Sequence, residues 1–167
     1  DAYRIINTIY RVKVIPQSSF PSPVTLIPTY PDLPMEHVYP RVADTDIREL
    51  YLRDTGKGRI AYFPGDIDRS FWQIMSADHG ILLRNTIRWA LKEEPIVEVK
   101  GPGVIDVTLW RQENSMTVHL VNLTNPMMMK GPFRELIPVA AQVSIKIPQG
   151  TKVDEVNLLV GGEKPSF

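Results

Sequence analysis

Residues 58–95, GRIAYFPGDIDRSFWQIMSADHGILLRNTIRWALKEEP, decide the fold that we predict for this chain. The stretch opens with a short apolar strand at 59–63, which a Pro-Gly pair ends. Apolar residues then recur at helical spacing, and this predicts a helix over 78–93 that Asp78 caps and a proline stops. A strand, a loop and a helix in this order indicate the last β/α unit of a layered α/β domain.

The strands near this helix carry apolar residues on both faces. Upstream of the stretch, alternation and prolines predict short strands at 11–15 and 24–27 and a strand or short helix at 46–53. One helix covers only one face of a sheet, whereas a parallel sheet is covered on both. We therefore expect the missing cover to lie upstream of Asp1 or in another chain, which makes this chain a dependent piece of a larger protein.

After Pro95 the apolar pattern changes from a helical period to alternation. Four alternating stretches, separated by turn residues, Pro or Gly, lie at 105–110, 116–120, 143–147 and 156–160. They predict a small antiparallel β-sandwich of roughly five short strands. The sequence thus predicts an α/β domain over 1–95 and an all-β sandwich over 96–167.

Charge and composition exclude several classes of protein. The 19 basic and 19 acidic side chains cancel, so the basic footprint of a nucleic-acid-binding protein is missing. With no cysteine, the chain has no disulfide, thiolate metal site or cysteine nucleophile. The sequence contains no apolar run of about 20 residues and no signal-peptide pattern. We expect neither a nucleic-acid nor a membrane partner. The lack of cysteine fits a reducing or an oxidising compartment, so the location stays open, with the cytoplasm favoured.

Several stretches together resemble the carboxy-terminal region of bacterial glycoside hydrolases related to the β-galactosidases that carry a trimerisation domain. They span most of the chain and lie at 31–36, 58–72, 78–80, 84–89 and 118–125. The resemblance implies a catalytic (β/α)₈ barrel, then a flavodoxin-like domain similar to class I glutamine amidotransferases, then a β-sandwich, of which this chain matches the last two. The implied partners are the upstream barrel, the remainder of the α/β domain and further copies in a homo-oligomer.

The same resemblance predicts a scaffold with no catalytic residue, cofactor or metal of its own. Glycoside hydrolysis needs two carboxylates held across one bond at the ends of barrel strands, and no barrel can be built from this chain. Flavodoxin-like amidotransferases that work as enzymes need a nucleophilic cysteine, which this chain lacks.

The sharpest site hypothesis concerns Asp66, Asp68 and Arg69, with Trp72 in the same loop, because they follow the strand at the sheet edge where α/β domains bind ligands. The interpretation that we favour is a turn whose carboxylates cap backbone groups and pair with Arg69, because Asp-x-Asp alone is a weak motif. A metal would need further oxygen ligands, which Asp32 or Glu36 would have to supply.

Two candidate contact sites lie in the second domain. An exposed Trp110 would offer a platform for a sugar, although core or interface packing is the commoner role of a tryptophan. The methionines Met127, Met128 and Met129 lie on a long apolar loop that we expect to pack against the α/β domain, the barrel or another subunit.

The sequence predicts a non-catalytic assembly segment of a β-galactosidase-like glycoside hydrolase. The alternative from another class is an independent carbohydrate-binding module that presents Trp110 to a glycan. A third reading is a small hydrolase that uses Asp66 and Asp68.

Overall fold

A computed structural model describes residues 4–29, 34–125 and 135–167 of the chain. The chain divides into two compact units, Asp1–Glu94 and Pro95–Phe167. In order, its elements are a short 3₁₀ helix at Met35–His37, then β1 (Tyr51–Thr55), β2 (Gly58–Tyr62), α1 (Ile67–Ile74), α2 (Ala77–Leu91), β3 (Val97–Lys100), β4 (Ile105–Arg111), β5 (Met116–Asn122) and β6 (Gln142–Ile145). Among the described residues, no helix has the length and apolar character that crossing a bilayer requires.

The first unit is built on the hairpin of β1 and β2, which are antiparallel and joined by the two-residue turn Gly56-Lys57. Gly56 has a positive φ of 56°, which a two-residue hairpin turn requires and which glycine adopts without steric cost. The strand predicted at 24–27 contributes a single bridge, between Thr25 and Arg48.

Two helices follow β2, and one of them is absent from the prediction. Helix α1 occupies part of the predicted loop; its apolar residues Ile67, Phe71 and Ile74 lie at helical spacing, a signal too short to stand out. Helix α2 confirms the predicted helix, but it begins one residue before Asp78, which therefore lies in its first turn and is not its cap.

Arg59 on β2 contacts helix α2 through its side chain. Its guanidinium lies 5.0 Å from the centroid of the Trp89 ring, and Nη1 donates a hydrogen bond of 2.7 Å to the Trp89 carbonyl. Asp54 lies directly across the hairpin and pairs with Arg59 Nε at 3.1 Å. The Arg59 guanidinium therefore contacts α2 and forms an ion pair with Asp54.

The prediction of a flavodoxin-like α/β domain, similar to class I glutamine amidotransferases, is wrong. Such a domain needs a parallel sheet with crossover helices. In the described part of the chain, every strand pairing is antiparallel and every sheet has two strands. The physical reason is that β2 takes its partner from the strand just before it, through a tight turn, and not from a strand beyond the helix.

The predicted five-stranded sandwich is also wrong. The hairpin of β4 and β5 is confirmed, with Leu109 opposite Val118. However, β6 pairs with β3, a strand that the prediction lacks, and residues 156–160 form no strand. Leu159 and Val160 in that stretch are largely or fully exposed, so their apolar character does not bring them into a sheet. Over residues 95–125 and 135–167, the strands of the second unit form two separate two-stranded ladders.

Candidate functional site

The predicted site residue Asp66 holds the backbone of the N-terminal segment. It lies at the position just before α1, but its side chain makes no capping bond to that helix. Instead its Oδ1 accepts a hydrogen bond of 2.9 Å from the amide of Tyr10, while its own amide donates to the Tyr10 carbonyl at 3.0 Å. A carboxylate that accepts from an amide forms one of the stronger hydrogen bonds in proteins.

Two wholly buried side chains extend this arrangement. Ser70, one turn into α1, accepts from the amide of Ile9 at 3.1 Å and lies 3.3 Å from Asp66 Oδ1, to which its hydroxyl donates. His79 on α2 has Nε2 at 2.7 Å from the carbonyl of Ile6, and since a carbonyl only accepts, this nitrogen carries the proton.

We call Pro64, Asp66, Ser70 and His79 the segment clamp, and its occupant is residues 6–12. The amide of Val12 completes it by donating to the Pro64 carbonyl at 3.0 Å. Every one of these bonds goes to the backbone of the segment, whereas the side chains of the segment's apolar residues Ile6, Ile9, Tyr10 and Val12 remain about half exposed. The hydrogen bonds of the clamp therefore hold the segment by its backbone.

The close approach of the segment explains the glycine beside Asp66. A Cβ at Gly65 would overlap the side chain of Thr8. Arg11 bridges to Gly65 and its guanidinium pairs with Glu49 at 2.8 Å. The bridge to Gly65 places the segment beside the start of α1, the ion pair ties it to Glu49, and the approach of Thr8 leaves no room for a side chain at residue 65.

Asp66, Ser70 and His79 are the residue types of a hydrolytic triad, but their bonds do not activate a nucleophile. The Ser70 hydroxyl donates to Asp66, and His79 Nε2 contacts a backbone carbonyl, so neither bond joins serine to histidine. Both Ser70 and His79 are also fully shielded from solvent. Asp66 Oδ2 and His79 Nδ1 are buried without a hydrogen-bond partner among the described residues, and a buried polar atom without a partner costs stability.

Of the other predicted site residues that the structure describes, one contacts the segment and the rest are exposed. Arg69 lies over the Tyr10 ring, with 4.9 Å from its guanidinium carbon to the ring centroid, so it faces the same segment as Asp66. Asp68 is exposed on the first turn of α1, and Trp72 is 64% exposed. On β4, Trp110 is 62% exposed and lies opposite Thr117. Met127, Met128 and Met129 lie outside the described residues.

Sequence reasoning missed Ser70 and His79, because it treated the first as part of a loop and the second as part of a helix start. A signal for His79 exists: it lies on the same face of α2 as Leu83, Thr86 and Ala90, at spacings of four, three and four residues. A histidine among the inward residues of a helix predicts a buried polar contact.

Two open concavities lie outside the clamp. One, of about 430 Å³, is lined by Arg59, Ile60, Ala61, Phe63, Leu83, Thr86, Ile87 and Ala90. The other, of about 660 Å³, includes Asp44, whose carboxylate accepts from Thr25 Oγ1 at 2.6 Å and from the Thr45 amide at 2.8 Å. These two bonds, the one from Thr25 above all, lower the pKa of Asp44 below its ordinary value.

No metal centre accompanies these features within residues 4–29, 34–125 and 135–167, where no three Asp, Glu or His side chains lie close enough together to hold an ion. Comparison of the chain with protein-family models, with curated proteins and with solved structures gave no match.

Proposed function

We propose that this chain is a non-catalytic assembly segment, and that it serves a β-galactosidase-like glycoside hydrolase whose barrel is a separate part of the protein. The observation that carries the assembly role is in the second unit. Among its described residues, 95–125 and 135–167, no side chain is fully buried. The family part of the proposal rests on the resemblance of the stretches at 58–72 and 118–125.

Both ladders of the second unit carry one apolar face. In β4 and β5 the pairs Leu109–Val118 and Val107–Leu120 lie on the same face, because residues two apart in a strand point the same way. Val107 and Leu120 each keep more than a third of their surface exposed. The described residues therefore leave the apolar side chains on this face partly exposed to water.

The ladder of β3 and β6 repeats the pattern. Val97 lies opposite Ile145 and Val99 opposite Val143, so four apolar side chains share one face, and Val143 and Ile145 keep more than a third of their surface exposed. A two-stranded ladder is marginally stable in water until its apolar face packs against something. Exposed apolar faces of this kind mark contacts with other protein surfaces. The proposed partners are the catalytic barrel and further copies in a homo-oligomer.

The assembly role predicts association without turnover. In light scattering coupled to size exclusion, we expect the purified chain to exceed the mass of one copy, 19.0 kDa. In the same preparations, nitrophenyl glycosides should hydrolyse no faster than in buffer, because the clamp activates no nucleophile. A monomer that hydrolyses these substrates at a rate proportional to its own concentration contradicts both parts of the proposal.

The exposure of Trp110 favours carbohydrate binding as a second candidate function. Its indole is 62% exposed and shares a strand face with Thr108 and His119, an apolar ring beside polar groups. Calorimetric titration with oligosaccharides separates the two functions, since an assembly segment should give only the heat of dilution. Binding heat that Trp110→Ala removes, and that the equally exposed Trp72→Ala retains, would favour the carbohydrate-binding module.

A further inference from the structure

The outer edge of β2 is a strand edge to which no described strand pairs. Among the described residues β2 pairs only with β1, and the closing pair Thr55–Gly58 of a two-residue turn is hydrogen-bonded. Hydrogen-bonded pairs alternate along an antiparallel hairpin, so the backbone groups of Arg59 and Ala61 point away from β1. These groups form a row of donors and acceptors to which another strand can pair.

An apolar groove of about 430 Å³ follows this edge. Ile60 points to one face of the strand and Arg59 and Ala61 to the other, so a groove that touches all three runs along the edge itself. Its other wall is α2, where Ile87 is 56% exposed. The groove therefore combines backbone groups that no described strand pairs with and apolar side chains, the two features that strand addition uses.

The edge lacks the usual protection against pairing. Charged side chains on an edge strand normally repel a second strand, but the only charged residue of β2, Arg59, is paired with Asp54 and lies over Trp89. The strand contains neither proline nor a bulge. Nothing in β2 itself therefore opposes an antiparallel neighbour.

The sequence of β2 suits a second copy of itself. With Ile60 opposite Ile60 of the second copy, all five residues from Gly58 to Tyr62 pair, and Arg59 lies opposite the small Ala61. Centring the pair on Arg59 would instead place two guanidinium groups opposite each other. The chain also has a formal net charge of +0, so two copies do not repel each other as they approach.

The symmetry also brings the helices into the interface. A two-fold axis perpendicular to an antiparallel strand pair places both α2 helices on the same face of the joined sheet. Ile87 and Leu91 are more than half exposed on α2 and would gain cover there. A specific interface buries about 800 Å² on each partner, so we expect α2 to contribute as well as the strand.

From this edge, groove and charge pattern, we infer that a second copy of the chain docks on β2 through antiparallel strand addition, with Ile60 at the two-fold axis. This inference rests on the proposed assembly function and names its partner and contact.

Ile60→Glu tests the contact with little harm to the fold. Ile60 is 52% exposed, so a charged side chain at this position stays in contact with water within one copy. At the two-fold axis the facing Cα atoms are about 4.5 Å apart, so two carboxylates repel each other. In sedimentation equilibrium we expect the dissociation constant to rise at least about tenfold. Ile47→Glu, at a comparably exposed isoleucine outside β2, should leave it unchanged.

A mixture of Ile60→Glu with Ile60→Lys tests the register. Each variant alone should be mainly monomeric, with far-ultraviolet circular dichroism confirming that it is folded. Mixed in equal amounts, with one variant labelled with ¹⁵N, they should form the mixed dimer in native mass spectrometry, because opposite charges then face each other. Wild-type association that survives Ile60→Glu overturns this contact but leaves the assembly role intact. A monomeric wild-type chain also overturns it, and binding to a barrel-containing chain then decides the assembly role separately.

Discussion

Leu50→Ala is expected to lower the free energy of unfolding of the first unit by about 3 kcal/mol. Leu50 immediately precedes β1 and is only 2% exposed, and it is one of two fully buried large apolar side chains, with Ile67, among the described residues. Removing it leaves a cavity beside the hairpin in a unit that buries little else. Since small domains are stable by only about 5–15 kcal/mol, this is a large fraction of the total.

Amide hydrogen exchange of β1 and β2 measures this loss without a contribution from the second unit. The protection of these amides in Leu50→Ala should fall by the factor that corresponds to the lost free energy, about 100-fold. Ile47→Ala is the matched control, because Ile47 lies three residues away and is 44% exposed; its loss should stay below about 1 kcal/mol. Equal losses in the two variants would show that Leu50 does not anchor the hairpin.

Asp66→Ala is expected to release the N-terminal segment from the clamp. The substitution removes the acceptor of the Tyr10 amide and of the Ser70 hydroxyl. Hydrogen bonds to a charged group contribute about 1.5–3 kcal/mol each, and Ser70 keeps a buried hydroxyl without its acceptor. We expect the amides of Ile9 and Tyr10 to exchange about 30- to 100-fold faster, while α2 keeps most of its protection.

Asp68→Ala is the control for this prediction, since Asp68 lies two residues away on the exposed side of α1. It should change stability by less than about 0.5 kcal/mol and leave the exchange of Ile9 and Tyr10 as in the wild type. The same pair of variants distinguishes the clamp from a hydrolase that uses both aspartates. If both substitutions abolished a measurable hydrolysis and left the exchange of Tyr10 unchanged, the clamp reading would be wrong.

Local sequence patterns predicted the elements whose partners lie nearby in the chain. The hairpin of β4 and β5 follows from alternation on both sides of a short turn, so strand and partner appear within one window of sequence. Helix α2 follows from a regular apolar spacing that ends at a proline. The prediction of a flavodoxin-like domain was wrong because β2 pairs with the strand just before it, a local hairpin that the apolar pattern did not reveal. The prediction of a sandwich was wrong because it concerned which strands meet across long distances, such as β3 and β6.

The candidate site shows the same limit. Asp66 and Arg69 were identified as candidates because they follow a strand, but both contact Tyr10. Asp66 and Tyr10 are separated by 56 residues in the sequence. His79 meets Ile6 across 73 residues. The clamp binds backbone groups, which are the same in every residue, so its hydrogen bonds leave no pattern in the sequence of the segment.

The sequence by itself determined helix α2, the hairpin of β4 and β5, and where prolines and glycines interrupt the chain, because these depend on spacing within a few residues. Helix α1 and strand β3 emerged only in the tertiary structure, which has no strand at 156–160. Only the tertiary structure decided that β2 pairs with β1 alone, that residues 6–12 lie in the clamp and that the apolar faces of the second unit stay partly exposed. The period of the apolar residues predicts that one face of a strand or helix is buried. Which part of the protein buries it depends on the free energy of contacts between residues far apart in the chain.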